Sequence, residues 1–214
     1  GMKDVDYVLT TREIGRMIQQ GGIDFESLPD SKADTPLGLS SGAADIFANT
    51  GGVMEAAVRT AYELVTGREL PLENLQIEAI AGLEGVKQAK LKLENCVEDW
   101  KFLEGVELKV GVVHGLSNAE KIMEAVKAGE EFHFIEVMTC PGGCIGGGGQ
   151  PRFTSNDVRM KRIASIQAED SGKKMRKSHE NPDIAALYEK FLGQPMGELS
   201  HKLLHTDYVK RNAV

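Results

Sequence analysis

Cys140 and Cys144 are the residues of this 214-residue chain whose type and spacing suit metal chemistry. They form a Cys-x-x-x-Cys pair inside Ile135–Gln150, IEVMTCPGGCIGGGGQ. Thiolates are the ligands of iron–sulfur clusters. Six of the eight positions from Gly142 to Gly149 are glycine, and glycine lets backbone N–H groups approach a bulky anionic cofactor. The plainer reading is a pair of buried structural cysteines, since free cysteine is among the most buried residue types. A packed core has no need of so many glycines, so the cofactor reading is preferred. Zinc would need four tetrahedral N or S ligands, and no histidine pair lies near by. A phosphate loop would need a following Gly-Lys-Ser/Thr, which is absent. Cys96, the third cysteine, has no partner motif and reads as structural. Two thiolates therefore leave a four-thiolate cluster half ligated. Glycine-rich segments lose much entropy on ordering, so the loop is expected to need metal to become ordered.

The elements around the pair can be read from period and punctuation. Phe132–Met138 (FHFIEVM) reads as a strand leading into the loop. Glu107–Val113 reads as another, and Ala119–Ala128, capped by Ser117 or Asn118, as the helix between them. Together they make a βαβ unit with parallel strands, in which ligands bind beyond the carboxyl ends of strands. Met138, Cys140 and Cys144 fall at that end. Leu75–Ala81 and Ala89–Cys96 read as further strands, with Gly82 and Gly85 between them. Nearer the N-terminus, Val5–Leu9 reads as a short strand and Arg12–Gln20 as a helix stopped by Gly21 and Gly22. Leu39–Asp45 reads as loop. Thr50-Gly51-Gly52 opens a helix, Val53–Thr66, closed by Gly67. After Pro151 the chain turns helical and charged, at Asn156–Ser171, Pro182–Phe191 and His201–Asn212. The fold class is α/β: a parallel-sheet βαβ lobe over residues 1–151 and a helical C-terminal appendage over 152–214. The appendage has too few aliphatic residues to stand alone.

A net charge of −7 argues against a nucleic-acid surface. No apolar run reaches the roughly 20 residues that span a bilayer, and the first residues lack a signal-peptide core. Three cysteines, two in a cofactor-like loop, point to a reducing compartment, the cytoplasm by default. His114 and Glu136 are expected to make structural hydrogen bonds. His179, His201 and His205 are expected to pack or cap. Lys173, Lys174, Arg176 and Lys177 read as a solvated face, with a docking patch for an acidic electron carrier as the sharper alternative.

Glu136-Val137-Met138-Thr139-Cys140-Pro141-Gly142-Gly143-Cys144, with Gly147-Gly148-Gly149-Gln150-Pro151, resembles the last of three cysteine signatures of the iron-only, di-iron hydrogenases. Asp4–Glu13, Ser41–Gly42 with Ile46–Phe47, Thr50–Thr66 and Val112–Ala119 resemble the C-terminal half of the same catalytic domain. Ser178–Pro182 through His201–Tyr208 resembles the small-subunit segment of that family. The resemblance implies an H-cluster, a 4Fe-4S cubane joined through one cysteine sulfur to a di-iron centre. It implies Cys140 as a cubane ligand and Cys144 as the bridging ligand. It implies Met138 packed on the di-iron centre, Phe47 and the Gly51–Gly52 turn as pocket wall, and Gly142, Gly143 and Gly147 offering N–H groups to cluster sulfur. The two earlier signatures are absent from this chain, so the missing ligands imply a partner, the N-terminal half of the catalytic domain. An electron carrier such as ferredoxin or an NAD(P)-linked subunit is implied too. The expected function is reversible oxidation of dihydrogen by the intact enzyme, with this chain inactive alone. The alternative is a non-catalytic hydrogenase-like iron–sulfur protein with an assembly or sensory role.

Overall fold

The computed structural model describes residue 3 and residues 5–32, 38–71 and 85–210. The strand expected at Leu75–Ala81, with Gly82, lies outside them. Helix α1 (Thr11–Gln20) starts at a capping box. The Thr10 hydroxyl accepts from the Glu13 amide, and the Glu13 carboxylate accepts from the Thr10 amide at 2.7 Å, which satisfies two donors at the helix start. The strand expected at Val5–Leu9 does not form. Among the described residues it pairs with no other strand, and Tyr7 and Val8 are 87% and 86% exposed. Its apolar residues belong to an arm with nothing packed on it.

Leu39–Asp45 is not all loop. Ser41 accepts from the Ala44 amide and starts a one-turn helix, α2 (Gly42–Asp45). A 3₁₀ turn, Ile46–Ala48, leads on toward α3 (Gly52–Thr66). Helix α3 is the middle layer. Met54, Val58, Tyr62 and Val65 recur at helical spacing and share a core with Leu91, Val110 and Val112 of the sheet. Ala56 on another face packs with Ala43, Ile46 and Ile166. Gly67 ends the helix in the left-handed region, at φ 67°, which glycine enters without strain.

The sheet has the order β1 (Val86–Lys92), β2 (Glu107–His114), β3 (Phe134–Met138). Strands β2 and β3 are parallel, with His114 beside Met138. Helix α4 (Leu116–Lys127) connects them, so the βαβ unit stands as expected. Strand β1 runs antiparallel to β2, with Val86 opposite Val113, which makes the sheet mixed. It also begins three residues before the expected Ala89. The cap of α4 is Gly115 rather than Ser117 or Asn118; the Asn118 side chain instead donates to the His114 carbonyl at 2.9 Å. Ile122 of α4 presses on Gly111 of β2, where an added Cβ would lie 2.5 Å from its Cδ1.

The C-terminal segment contains α5 (Asn156–Gly172), α6 (Pro182–Leu187) running into a π-type turn, Tyr188–Leu192, and α7 (Glu198–Leu204). The helix expected over His201–Asn212 thus stops at Leu204. Helix α5 lies on α3 through buried charge. Arg59 donates to both Asp170 oxygens, at 2.9 and 2.8 Å, and also pairs with Glu55. Arg176 donates to Asp170 Oδ2 at 2.6 Å. Burial alone would raise the Asp170 carboxyl and lower the Arg59 guanidinium. The hydrogen bonds and opposite charges outweigh it, holding Asp170 below and Arg59 above their ordinary ranges.

The basic run is not a freely solvated face. Lys173 pairs with Asp45 at 2.7 Å. Lys177 sits among Glu63, Glu180 and Glu69 at 2.6, 2.8 and 3.1 Å, and those carboxylates hold its ammonium above the usual lysine range. Only Lys174 of the four is exposed without an ion pair among the described residues.

Candidate metal centre

The two cysteines sit where the parallel strands end. Met138 closes β3, and its carbonyl accepts from the Gly115 amide at 2.8 Å, tying that end to β2. The chain then turns through Cys140-Pro141-Gly142-Gly143-Cys144. Both cysteines are free thiols; Cys140 is half-buried and Cys144 exposed. Cys96 is remote from them, buried in the core between α3 and the sheet. Burial and the Glu104 carboxylate push its thiol up, as befits a structural residue. The donor set near the loop is therefore two thiols. Among the described residues no group of three or more His, Cys, Asp or Glu side chains could hold a metal ion. Two thiols of this kind fit part of the donor set of an iron–sulfur cluster.

The loop is tied to three neighbouring segments. The Thr50 amide donates to the Gly142 carbonyl at 3.1 Å. The start of α1 holds the glycine run, where Arg12 donates to the Gly148 carbonyl at 2.8 Å through its side chain and to the Gly149 carbonyl at 3.2 Å through its amide. From α5, Arg162 donates to the Ile145 carbonyl at 2.7 Å. Ile145 itself is buried with Ile163, Ala48 and Ile166. These contacts offset part of the entropy that a glycine-rich loop loses on ordering.

Gly143 lies at φ 87°, and a Cβ there would come within 2.7 Å of the Thr50 amide nitrogen and 2.9 Å of the Asn49 carbonyl carbon. Only glycine fits such a close approach of two backbones. The amides of Gly143 and Gly147 donate to the carbonyls of Cys140 and Cys144, each at 3.0 Å. Both amides thereby close turns on either side of Cys144. The Gly142 amide makes no such turn bond among the described residues.

Of the other expected pocket residues, Gly51 and Gly52 are buried at the start of α3, and Phe47 is half exposed in the preceding 3₁₀ turn. Met138 is half-buried. Glu136 joins these pieces. Its carboxylate, 5% exposed on β3, accepts from the Gly51 amide at 2.6 Å and the Met54 amide at 2.8 Å. It caps a helix whose own N-cap residue has no side chain, and its charge suits the positive end of the helix dipole. Burial pushes its carboxyl above the ordinary range, opposed by hydrogen bonds from Gly51, Met54 and Val53. The structural role expected for Glu136 holds.

His114 is buried beside Met138, but its Nε2 has no partner among the described residues, so the hydrogen bond expected of it is not made there. His179 meets Thr60 Oγ1 at 3.2 Å, and His201 stacks on His205. Sequence reasoning missed Thr50, Arg12 and Arg162. The signal for Thr50 was its place before two glycines. For Arg162, no spacing rule links a helix residue to a loop carbonyl 17 positions earlier.

Comparison with known proteins agrees with this geometry. The family described as "Iron only hydrogenase large subunit, C-terminal domain" matches residues 1–148, and "Iron hydrogenase small subunit" matches residues 156–211. The chain is 54% identical over 99% of its length to the NADP-reducing hydrogenase subunit HndD of Solidesulfovibrio fructosivorans, and it spans 34% of that subunit. It is 31% identical over 96% of its length to a probable cytosolic Fe-S cluster assembly factor of Drosophila mojavensis, of which it spans 42%. A solved variant of the FeFe-hydrogenase HydA1 from Chlamydomonas reinhardtii superposes with a TM-score of 0.77 at 39% identity, covering 96% of this chain and 56% of the other. With a strand-end cysteine loop, a large-subunit match and a small-subunit match in one polypeptide, this chain belongs to the iron-only hydrogenase family.

Proposed function

We propose that the chain forms one side of the active centre of an iron-only hydrogenase, an oxidoreductase interconverting dihydrogen with protons and electrons. Cys140 is a cubane ligand, and Cys144 is the ligand shared with the di-iron centre. That cofactor, when bound, supplies electron storage and an iron site for hydrogen. The chain's own residues hold and shield it. Met138 and Phe47 form an apolar wall with the Gly51–Gly52 turn, while Gly142, Gly143 and Gly147 shape the loop around it. Glu136 keeps the turn in place by capping α3.

The observation that carries this reading is the half-complete, outward-facing thiol set. Cys144 is exposed, and the surfaces of the terminal segments are apolar and bare. Helix α1 buries no residue and exposes Ile14 and Met17. The arm exposes Tyr7 and Val8, and the far end exposes Leu204 and Tyr208. Exposed apolar side chains of this kind are open to a protein partner. The partner that supports the reading is the N-terminal half of the catalytic domain, bringing the remaining cluster ligands. An electron carrier, ferredoxin or an NAD(P)-linked subunit, completes the assembly. Among the described residues no helix is long and apolar enough to cross a membrane.

The test is iron and acid-labile sulfide per chain after anaerobic reconstitution, beside a Cys140→Ser, Cys144→Ser control. Iron lost in the control supports the ligand assignment; equal iron in both sinks it. Hydrogen evolution from reduced methyl viologen is expected to be nil for this chain alone. The likeness to a probable Fe-S cluster assembly factor supports a second reading, an ordinary cluster and no di-iron centre. Carbon monoxide and cyanide stretching bands in the infrared, sought in the complete assembly, separate the two.

A further inference from the structure

We infer that Arg162, seated beside Arg159 on α5, is the residue that positions Cys144, so that the small-subunit-like segment is a working part of the metal centre. The inference rests on the reading of Cys140 and Cys144 as cluster ligands. It starts from Ile145, the residue directly after Cys144. Its side chain is 7% exposed and packs on Ile163, which is 2% exposed. Its carbonyl accepts from Arg162 Nη1 at 2.7 Å. One residue is thus gripped twice by one turn of α5, by its side chain and by its backbone.

Arg159, one turn earlier, lies against the next residue. A Cβ on Gly146 would come within 3.2 Å of Arg159 Nε. That Nε is buried and has no partner among the described residues, while Nη1 is held by Asn156 Oδ1 at 2.7 Å. Arg159 therefore covers the loop and adds its charge there, whereas Arg162 makes the specific bond. Helix α5 is in turn fixed on α3 by Asp170, so the grip on Ile145 has a rigid backing. The Cys144 side chain leaves the backbone one residue from that grip. Its direction is set where the chain is pinned, with the Gly147 amide on the Cys144 carbonyl completing the turn.

The experiment measures amide hydrogen exchange of peptides covering residues 139–150 in the full chain and in Arg162→Ala, Arg162→Lys and Lys161→Ala. Lys161 is the exposed neighbour on the same helix. Arg162→Ala is expected to speed loop exchange roughly tenfold, the size of a lost hydrogen bond to a charged donor. Helix α3 and strand β2 should stay unchanged, Lys should restore most of the protection, and Lys161→Ala should match the parent. Unchanged loop exchange would overturn the inference. So would a loosening of α5 in proportion to the loop, or a failure of Lys to rescue, since either makes Arg162 a packing residue alone. A second readout uses iron-reconstituted protein: the electron paramagnetic resonance line shape of the reduced cluster should change in Arg162→Ala and revert in Arg162→Lys. Should the parent chain take up no iron, the ligand reading fails for this chain while the exchange arm still decides the role of Arg162.

Discussion

At the α3–α5 junction a carboxylate only 3% exposed, Asp170, is gripped by two guanidinium groups. In the cysteine loop the ties run almost wholly to backbone carbonyls, from Thr50, Arg12 and Arg162 onto Gly142, Gly148, Gly149 and Ile145. The junction depends on side-chain charge and can be undone by removing one partner. The loop depends on backbone shape and can be undone by adding one methyl group. A site that must accept a cluster cannot be filled with its own side chains, so its order is drawn from carbonyls and from rigid neighbours.

The largest effect is expected at the junction. Asp170→Ala leaves the buried Arg59 with Glu55 as its remaining ion pair, strips Arg176 of its carboxylate, and should lower stability by about 3 kcal/mol in chemical denaturation. Adding Arg59→Met should recover part of that loss; no recovery would mean that Asp170 acts by something other than charge pairing. Next comes Gly143→Ala, which forces an L side chain to φ 87° against the Thr50 backbone. We expect a loss of about 1–3 kcal/mol, with iron uptake falling much further than the melting temperature. Equal falls in both would erase the distinction between loop and junction.

Glu136→Gln keeps one acceptor and turns an amide donor toward another donor, for a loss of about 1–3 kcal/mol measured near pH 5. Burial raises the Glu136 carboxyl above its unfolded value, so its contribution is full below the ordinary glutamate range and is lost as pH rises through the raised value. The gap between parent and variant should therefore narrow as pH rises, and a widening gap would show the sign to be wrong. The smallest effect is at Glu104, an exposed carboxylate held down to about 2 by Lys101 and by the Asn95 and Cys96 amides. The stability it contributes is present above the ordinary carboxylate range and is lost as pH falls toward about 2. Glu104→Gln should flatten that part of the acid limb of the stability profile, and an unchanged slope would remove Glu104 from it.

The sequence was most legible where a local rule was sufficient. Gly67 and the β2–α4–β3 period each mark an element that formed. The Cys-x-x-x-Cys spacing and its glycines marked the loop. Legibility failed where the deciding partner was distant. Val5–Leu9 has a strand's composition and, among the described residues, no strand beside it. Ser41 turned an expected loop into a helix with one side-chain bond. Lys173 and Lys177 read as surface until Asp45 and Glu63 arrived from far along the chain.

Only 17 positions separate Arg162 from Ile145, and both lie on one chain. The bond between them forms by closing a short loop, whose entropic penalty grows only with the logarithm of its length. Between two separate polypeptides the same contact would carry the translational and rotational penalty of association. Continuity of the chain therefore makes the seating of the cysteine loop a first-order event, indifferent to dilution. It also imposes an order in time, because α5 must emerge and fold before the loop that precedes it can be seated.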